Sequence, residues 1–156
     1  MDLHQELFSL TAALSKAGVP YAICGGLAVA LHGYPRFTQD IDLLILSEDE
    51  SRTLAVAEML GFIIRAGRLP IGVGEPIERE IVRVSKVVNR EIVTLDLLIV
   101  NATIQSAWDS RMDLELHGFR VSAVSRDGLK LLKILGGRRQ DLLDLEQLGM
   151  LDEDAV

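Results

Sequence analysis

The sequence is short of the residues that form disulfides or bind zinc. Cys24 is the single cysteine among 156 residues, and histidine occurs three times. An intrachain disulfide is therefore excluded, and no Cys and His cluster with the spacing of a structural zinc site is present. A lone cysteine is typical of a reducing compartment, so the composition favours a cytoplasmic protein.

Long hydrophobic runs are also missing. No stretch approaches the roughly 20 apolar residues that a membrane-spanning helix needs. The first ten residues, MDLHQELFSL, contain acids and lack the basic start and apolar core of a signal peptide. We therefore expect a soluble, cytoplasmic protein that makes no membrane contact.

Basic and aromatic residues are few. Lys and Arg number 16 against 23 Asp and Glu, which gives a formal net charge of -7. Broad binding to a nucleic-acid backbone needs many cationic contacts, so the charge disfavours that class and leaves room only for a local basic patch. Aromatic residues make up 4% and hydrophobic residues 49% of the chain, which predicts an aliphatic core. The length predicts one domain over residues 1–156.

Helix and strand patterns alternate along the chain. Leucines spaced by three and four residues predict a helix over Leu3–Lys16, ended by Gly18. Ser47 is expected to cap a second helix that ends at Gly61. The other predicted elements are a strand at 21–24, a brief helix at 27–31, a strand at 40–46, a loop or wide hairpin connection at 67–78, paired strands at 79–88 and 91–100 around a turn at 89–90, a short helix at 103–112, a hairpin at 114–124 turning near 117–118, and two C-terminal helices within 125–150.

The strand DIDLLIL places two acids on one face. Side chains two residues apart in a strand point the same way, so Asp40 and Asp42 project together. Their carboxylates repel each other without a cation, and a hard divalent ion such as Mg²⁺ prefers oxygen ligands. Asp96, inside the apolar run IVTLDLLIV, adds a third acid if its strand lies beside the first. Three acids around two Mg²⁺ ions, or Mn²⁺ in their place, suit in-line phosphoryl or nucleotidyl transfer.

A second group of residues precedes these acids. Gly25 and Gly26 lie between a strand and a helix, where the absence of a Cβ lets backbone N–H groups approach phosphates. Arg36 offers a guanidinium fork and Thr38 a hydroxyl group to phosphate oxygens. Together with the acids, these residues predict a site for a nucleoside triphosphate.

The whole array resembles a known superfamily. The glycine pair, Arg36, Thr38, the Asp-Ile-Asp triplet and Asp96 follow the order of the motif in DNA polymerase beta-type nucleotidyltransferases. The later segment KILGGRRQDLLDL is similar to the ending of the AbiEii-like minimal bacterial nucleotidyltransferases, a group that includes toxin-antitoxin and phage-defence components. Gln140 departs from that pattern, because the family often has Lys there.

The resemblance implies a nucleotidyltransferase fold, an α/β (α+β) structure in which helices flank a mixed central sheet. Its core motif would span 23–46, its third-acid strand 91–100 and its C-terminal helices 125–150. The implied activity moves a nucleoside monophosphate from an NTP to an RNA end, a protein or a small molecule, and a toxin-antitoxin partner protein is expected. The implied catalytic and metal-binding residues are Asp40, Asp42 and Asp96, and the implied nucleotide-binding residues are Gly25, Gly26, Arg36, Thr38 and Lys133.

Other interpretations stay open from the sequence alone. Asp96 could pair with Arg83 or Lys86 across the hairpin, which would make it a structural acid. Asp141 and Asp144 are expected to anchor their helix by pairing with the arginines at 138 and 139. For the chain as a whole, the alternative is a non-catalytic nucleotide-binding or antitoxin-like subunit whose partner supplies the activity.

Overall fold

The chain folds as a mixed α/β structure, as the sequence predicts. A computed structural model describes residues 2–71 and 79–151. The helices in these ranges are α1 (Leu3–Lys16), α2 (Gly25–Leu31), α3 (Glu50–Met59), α4 (Gln105–Asp109), α5 (Arg126–Gly136) and α6 (Arg139–Gln147). The strands are β1 (Ala22–Cys24), β2 (Asp40–Ile45), β3 (Ile64–Ile71), β4 (Arg79–Val88), β5 (Glu91–Ile99), β6 (Met112–Leu116) and β7 (Phe119–Ala123). None of these helices is long and apolar enough to cross a membrane.

The described strands join one sheet in the order β3-β4-β5-β2-β1-β7-β6. β2 runs parallel to β5 and β1 runs parallel to β7, whereas the other neighbouring strands are antiparallel. The strand that carries the paired acids therefore lies beside the strand that carries Asp96, near the middle of the sheet.

One face of the sheet carries an aliphatic core. Its fully buried side chains on β2 and β5 include Ile41, Leu43, Ile45, Leu95 and Leu97. Lys86 lies on the same face of β4, and its Nζ is 2.5 Å from Oε2 of Glu6 on α1 and 3.0 Å from the carbonyl oxygen of Leu60, just after α3. These contacts show that α1 and α3 cover this face, so the acids on the alternate positions of β2 and β5 point to the opposite one.

The predicted connection at 67–78 is wrong for its first five residues. Gly67 to Ile71 continue β3 and pair with β4, with Pro70 opposite Glu80. A proline is tolerated there because β3 lies at the edge of the sheet, where the missing N–H need not face a neighbouring strand. The rest of the predicted connection, residues 72–78, lies outside the described residues.

Two predicted helices are shorter in the structure. Ser47 opens a 3-10 turn that ends at Asp49, and α3 begins only at Glu50 without a side-chain cap. The helix predicted at 103–112 is helical as α4 only over Gln105–Asp109, because Met112 already pairs with β7. In both cases neighbouring turns or strand pairing replace helical residues at the ends.

Both predicted hairpin turns are confirmed. Asn89 and Arg90 have φ values of 50° and 69°, and His117 and Gly118 have 49° and 83°. Two consecutive positive φ values are typical of a two-residue turn that matches the twist of the flanking strands. The first of these turns fixes how β4 pairs with β5.

Candidate active site

The three acids singled out in the sequence come together on one face of the sheet. β2 and β5 pair with Asp42 opposite Asp96, and Asp40 lies two residues earlier, opposite Thr94. On the other side of β2, Cys24 is the cross-strand partner of Asp42. Neighbouring strands lie about 4.8 Å apart, so the carboxylates of Asp42 and Asp96 are close neighbours.

Burial and mutual repulsion perturb two of these acids. Burial raises the pKa of Asp42 from 3.8 to about 7, and the negative charges of Asp96 and Asp40 add to the rise, against the opposing charges of Lys133 and Arg138. Burial, followed by the charge of Asp96, also raises the pKa of Asp40. Among the described residues, Asp42 accepts no hydrogen bond and forms no ion pair. A bound cation would stabilise the charged form of such a carboxylate.

Asp96 is held by Arg83. Nε of Arg83 donates to Oδ1 of Asp96 at 2.7 Å and Nη2 donates to Oδ2 at 3.0 Å, across strands where the two residues are directly opposed. The hydrogen bond to Asp96 raises the pKa of Arg83 above its usual value. This is the pairing expected for a structural acid, whereas Lys86, the other candidate, points to the opposite face of the sheet. The arginine neutralises Asp96 in this arrangement, and the place of Asp96 beside Asp42 suits a metal ligand equally.

The glycine pair is required by close packing at the start of α2. Gly25 has a φ of +64°, and a Cβ on it would lie 2.2 Å from Oδ2 of Asp42. A Cβ on Gly26 would lie 2.8 Å from Oγ1 of Thr38 and 3.2 Å from Nη2 of Arg36. Both glycines therefore let the chain approach the acids and the residues before them, a steric reason that the sequence interpretation did not include.

Arg36 and Lys133 meet on one buried carboxylate. Nε of Arg36 lies 2.8 Å from Oδ1 of Asp144, and Nη2 lies 3.0 Å from Oδ2. Nζ of Lys133 lies 3.0 Å from Oδ2 of Asp144 and 3.2 Å from Oδ1 of Asp141. Asp144 is 0% exposed and Lys133 4% exposed. Two residues predicted to bind phosphate are thus already ion-paired inside the fold.

Asp141 and Asp144 differ in their partners from the sequence expectation. Arg138 binds Asp141 through Nε at 2.9 Å and Nη2 at 3.1 Å, which confirms a predicted pair. Asp144 pairs with Arg36 and Lys133 instead of a neighbouring arginine, because its helix packs against the segment before β2. Burial would raise the pKa of both acids, but hydrogen bonds, led by Arg138 for Asp141 and Arg36 for Asp144, hold each pKa below its usual value.

These five charged residues form what we call the anchor network. Its members are Arg36, Lys133, Arg138, Asp141 and Asp144. Three cations and two carboxylates leave it with one net positive charge. Gln140, which stands where the family often has Lys, donates to Oδ1 of Asp144 at 2.7 Å and thus keeps a hydrogen bond in that place.

A cleft of about 320 Å³ lies between the acids and the anchor network. We call it the acid cleft. Its lining residues are Cys24, Gly25, Asp42, Ile81, Arg83, Asp96, Leu98, Leu129, Leu132, Lys133, Gly136, Arg138 and Asp141. The arrangement offers carboxylates on the sheet side and cations on the side of α5 and α6, which is the polarity that a metal-bound phosphate chain requires.

The donor chemistry suits a hard divalent cation after one rearrangement. Asp40 and Asp42 offer carboxylate oxygens from adjacent positions on one strand face. Both oxygens of Asp96 are engaged by Arg83, and no group of three or more His, Cys, Asp and Glu side chains in the described residues is already arranged around a metal position. Asp96 would join the other two acids once the fork with Arg83 opens.

Sequence reasoning left Arg83, Arg138 and Asp141 outside the candidate site, yet all three line the cleft. A signal for Arg83 was present. In a hairpin with a two-residue turn at Asn89 and Arg90, residues at equal distances from the turn face each other, which places Arg83 opposite Asp96. No sequence signal places α5 and α6 over the sheet at the distance that brings Arg138 and Asp141 into the cleft.

The sheet order, the flanking helices and the acids on β2 and β5 define the class, which is the nucleotidyltransferase fold. The lincosamide antibiotic adenylyltransferase LnuA, solved with lincomycin, matches with a TM-score of 0.64 at 18% identity over 94% of this chain and 97% of its own. The antibiotic-resistance factor ANT(2'')-Ia matches with a TM-score of 0.65 at 16% identity over 95% and 84%. JHP933 from Helicobacter pylori matches with 0.54 at 21% identity over 99% and 68%. At these identities the likeness shows the fold.

The match to a family model is more specific than the likeness in fold. The model of the family described as nucleotidyl transferase AbiEii toxin, Type IV TA system, matches residues 9–149. The chain therefore belongs to the AbiEii nucleotidyltransferase family, and its enzyme class is that of the nucleotidyltransferases. Among curated proteins, none matches this chain in sequence.

Proposed function

We propose that this nucleotidyltransferase transfers a nucleoside monophosphate from an NTP to a hydroxyl group of an acceptor in an Mg²⁺-dependent reaction, with pyrophosphate leaving. One observation carries the proposal: Asp42 lies in register with Asp96 on a parallel neighbouring strand, with Asp40 on the same face. Three acids on one face of the sheet, one of them with a pKa raised to about 7, form a donor set that would bind a divalent cation and be stabilised in its charged form by it.

Each acid has a role in this proposal. Asp40 and Asp42 would hold both Mg²⁺ ions, with Mn²⁺ as a substitute, and Asp96 would hold the ion nearer the acceptor and take the acceptor's proton. When bound, the ions would stabilise the charge on the attacking and leaving oxygens. Because burial already raises the pKa values of Asp40 and Asp42, ion binding would favour their charged forms and lower those values.

The phosphate chain would lie between the glycine pair and the anchor network. Gly25 and Gly26 would bring backbone N–H groups near it, and Thr38, whose Oγ1 lies against Gly26, would donate a hydroxyl hydrogen bond. Arg36 and Lys133 would act through the net positive charge of the anchor network, because both stay paired with Asp144. That single net charge attracts a phosphate without requiring any ion pair to break.

The sheet surface next to the acids indicates which kind of acceptor could bind there. Ser85 and Thr94 lie side by side, with Oγ atoms 3.2 Å apart, in the row that contains Asp40. The next pair on this face, Val87 and Ile92, is 58% and 63% exposed. Neutral hydroxyls followed by exposed aliphatic side chains favour an acceptor that presents a hydroxyl on an apolar surface, as a small molecule or a protein segment does, over one bound through its phosphates.

Membership of a toxin-antitoxin family supports a partner protein for this chain. We propose an antitoxin partner that acts in the same bacterial system. The alternative, a non-catalytic nucleotide-binding or antitoxin-like subunit, predicts that partner binding survives when metal and nucleotide binding are lost. This difference makes nucleotide binding the measurement that separates the two functions.

The test is isothermal titration of each of the four NTPs, with and without Mg²⁺. The variants are Asp42→Asn and Asp96→Asn, and the matched control is Asp113→Asn, an exposed acid on β6 at the edge of the sheet that does not line the cleft. We expect binding of at least one NTP that requires Mg²⁺, is lost in the two cleft variants and is unchanged in the control. Transfer from an α-³²P-labelled form of that NTP to added RNA, protein or small-molecule fractions would then identify the acceptor class. Absence of metal-dependent binding to all four NTPs would overturn the enzyme proposal and favour the partner-binding alternative.

A further inference from the structure

Arg83 occupies an unusual place in the cleft. It projects from β4 into the cleft, and it binds both oxygens of Asp96. A fork of this geometry occupies one hydrogen-bonding position on each oxygen of Asp96. A metal ion and Arg83 would therefore compete for the same two oxygens.

The surroundings of Arg83 allow it to move. Its side chain is 41% exposed, whereas the side chains of Arg36 and Lys133 in the anchor network are 21% and 5% exposed. The position opposite Arg83 on β3 is Gly67, which lies at a β-bulge and has no atom of the described residues within 4 Å of where a Cβ would be. As far as the described residues go, the space next to Gly67, on the side of β4 away from Asp96, is open to the guanidinium group.

The other two acids on this face of β2 and β5 have no such partner. Asp42 lacks an ion pair among the described residues, and so does Asp40. One arginine therefore serves a group of three carboxylates and sits on the one that is most deeply buried, Asp96 at 7% exposure. Release of that arginine is the step that would complete a three-carboxylate metal site.

We propose that Arg83 is a displaceable counterion of Asp96: it holds this acid in the metal-free enzyme, a divalent cation displaces it towards the open space beside Gly67, and the competition sets the metal concentration at which the site fills. Arg83 is a positioning residue in this scheme, since it acts through Asp96. The inference rests on the proposed function, because it needs a metal ion at the three acids.

The experiment measures Mn²⁺ binding by electron paramagnetic resonance, with no nucleotide present. Arg83→Gln removes both the fork and the charge, Arg83→Lys keeps the charge without the fork, and Arg68→Gln removes an exposed ion-paired arginine of β3 as the control. We expect Arg83→Gln to bind Mn²⁺ roughly tenfold more tightly than the wild type, because one positive charge near a divalent ion is removed. Arg83→Lys should be intermediate, and Arg68→Gln should match the wild type.

A second measurement uses the wild-type protein and does not depend on the stability of a variant. In ¹⁵N-labelled protein, Mg²⁺ should shift the Nε–H resonance of Arg83 away from its carboxylate-bound position. The Nε–H groups of Arg36 and Arg138 also bind carboxylates, and they should keep their resonances. They are internal controls for a general effect of the ion.

The outcomes separate the two proposals. If the wild type binds Mn²⁺ through Asp42 but neither Arg83 variant changes the affinity, the counterion role is refuted and the metal site stands. If Arg83→Lys equals the wild type while Arg83→Gln binds more tightly, the effect is that of charge alone and displacement of the fork is refuted. If the wild type and Arg83→Gln both fail to bind Mn²⁺, the metal site itself is wrong and the inference falls with it.

Discussion

The raised pKa of Asp42 predicts that this group makes the metal-free protein less stable as the pH rises. In the folded state this pKa is about 7, against 3.8 for an ordinary aspartate, because burial and then the charges of Asp96 and Asp40 disfavour the anion. The folded protein therefore holds a proton that the unfolded chain has lost between about pH 4 and pH 7. Stability from this group is complete below about pH 4 and is lost as the pH rises towards 7. Between pH 5 and pH 8 the loss amounts to about 2.5 kcal/mol.

Asp42→Asn removes this titration while keeping the size of the side chain. We expect urea denaturation in EDTA to show the variant gaining about 2.5 kcal/mol relative to the wild type between pH 5 and pH 8. Comparing the two pH values cancels any constant cost of the amide. Asp113→Asn, which is exposed, should show no such gain. A difference between variant and wild type that is the same at both pH values would refute the reasoning, since Asp42 would then ionise freely in the fold.

Three further outcomes follow from the same contacts. Gly25→Ala places a Cβ 2.2 Å from Asp42 and should destabilise the protein by roughly 2 to 4 kcal/mol in urea denaturation. Gly18 has a similar φ of +72° and no described atom within 4 Å of a Cβ position, so Gly18→Ala should cost roughly 1 to 2 kcal/mol. Arg36→Met should lower the free energy of unfolding by about 3 kcal/mol without any nucleotide, because the buried carboxylate of Asp144 loses one of its paired cations. An unchanged midpoint of urea denaturation would contradict this. Mg²⁺ binding should release close to one proton at pH 6 and almost none at pH 8.5, because the pKa of Asp42 is about 7. Titration calorimetry in buffers of different ionisation enthalpy measures this release. A binding enthalpy that is independent of the buffer at pH 6 would argue against Asp42 as a ligand.

Much of the fold follows from local patterns that the sequence displays. The leucine spacing of α1 and the turn at Asn89 and Arg90 are both found where predicted. The errors lie where pairing outweighs local preference: Pro70 suggests a loop, yet it continues β3, because an edge strand needs hydrogen bonds on one side only. Ser47 has the chemistry of a helix cap, but the chain first makes a 3-10 turn there. The strand pairing of Pro70 depends on β4, which the local pattern around the proline does not reveal.

The candidate site also has contacts that the sequence predicts and contacts that it does not. Alternation along a strand was enough to predict that Asp40 and Asp42 share a face, and the hairpin turn contains the information that Arg83 opposes Asp96. The partners of Asp144 were not predictable, because Arg36 reaches it across 108 positions of the chain. A buried carboxylate needs cations, but the sequence does not say which of several arginines and lysines the packing of the last helix will supply.

The three acids show why residue identity alone does not describe such a site. Asp96 is neutralised by an arginine, Asp42 by a raised pKa that keeps a proton near neutral pH, and Asp40 stays partly exposed to solvent. The carboxylates thus tolerate the absence of a cation in more than one way. Because a bound cation would have to replace the proton on one acid and the arginine on another, the affinity of the site for metal depends on both, and a change at Arg83 should alter it as surely as a change of an acid.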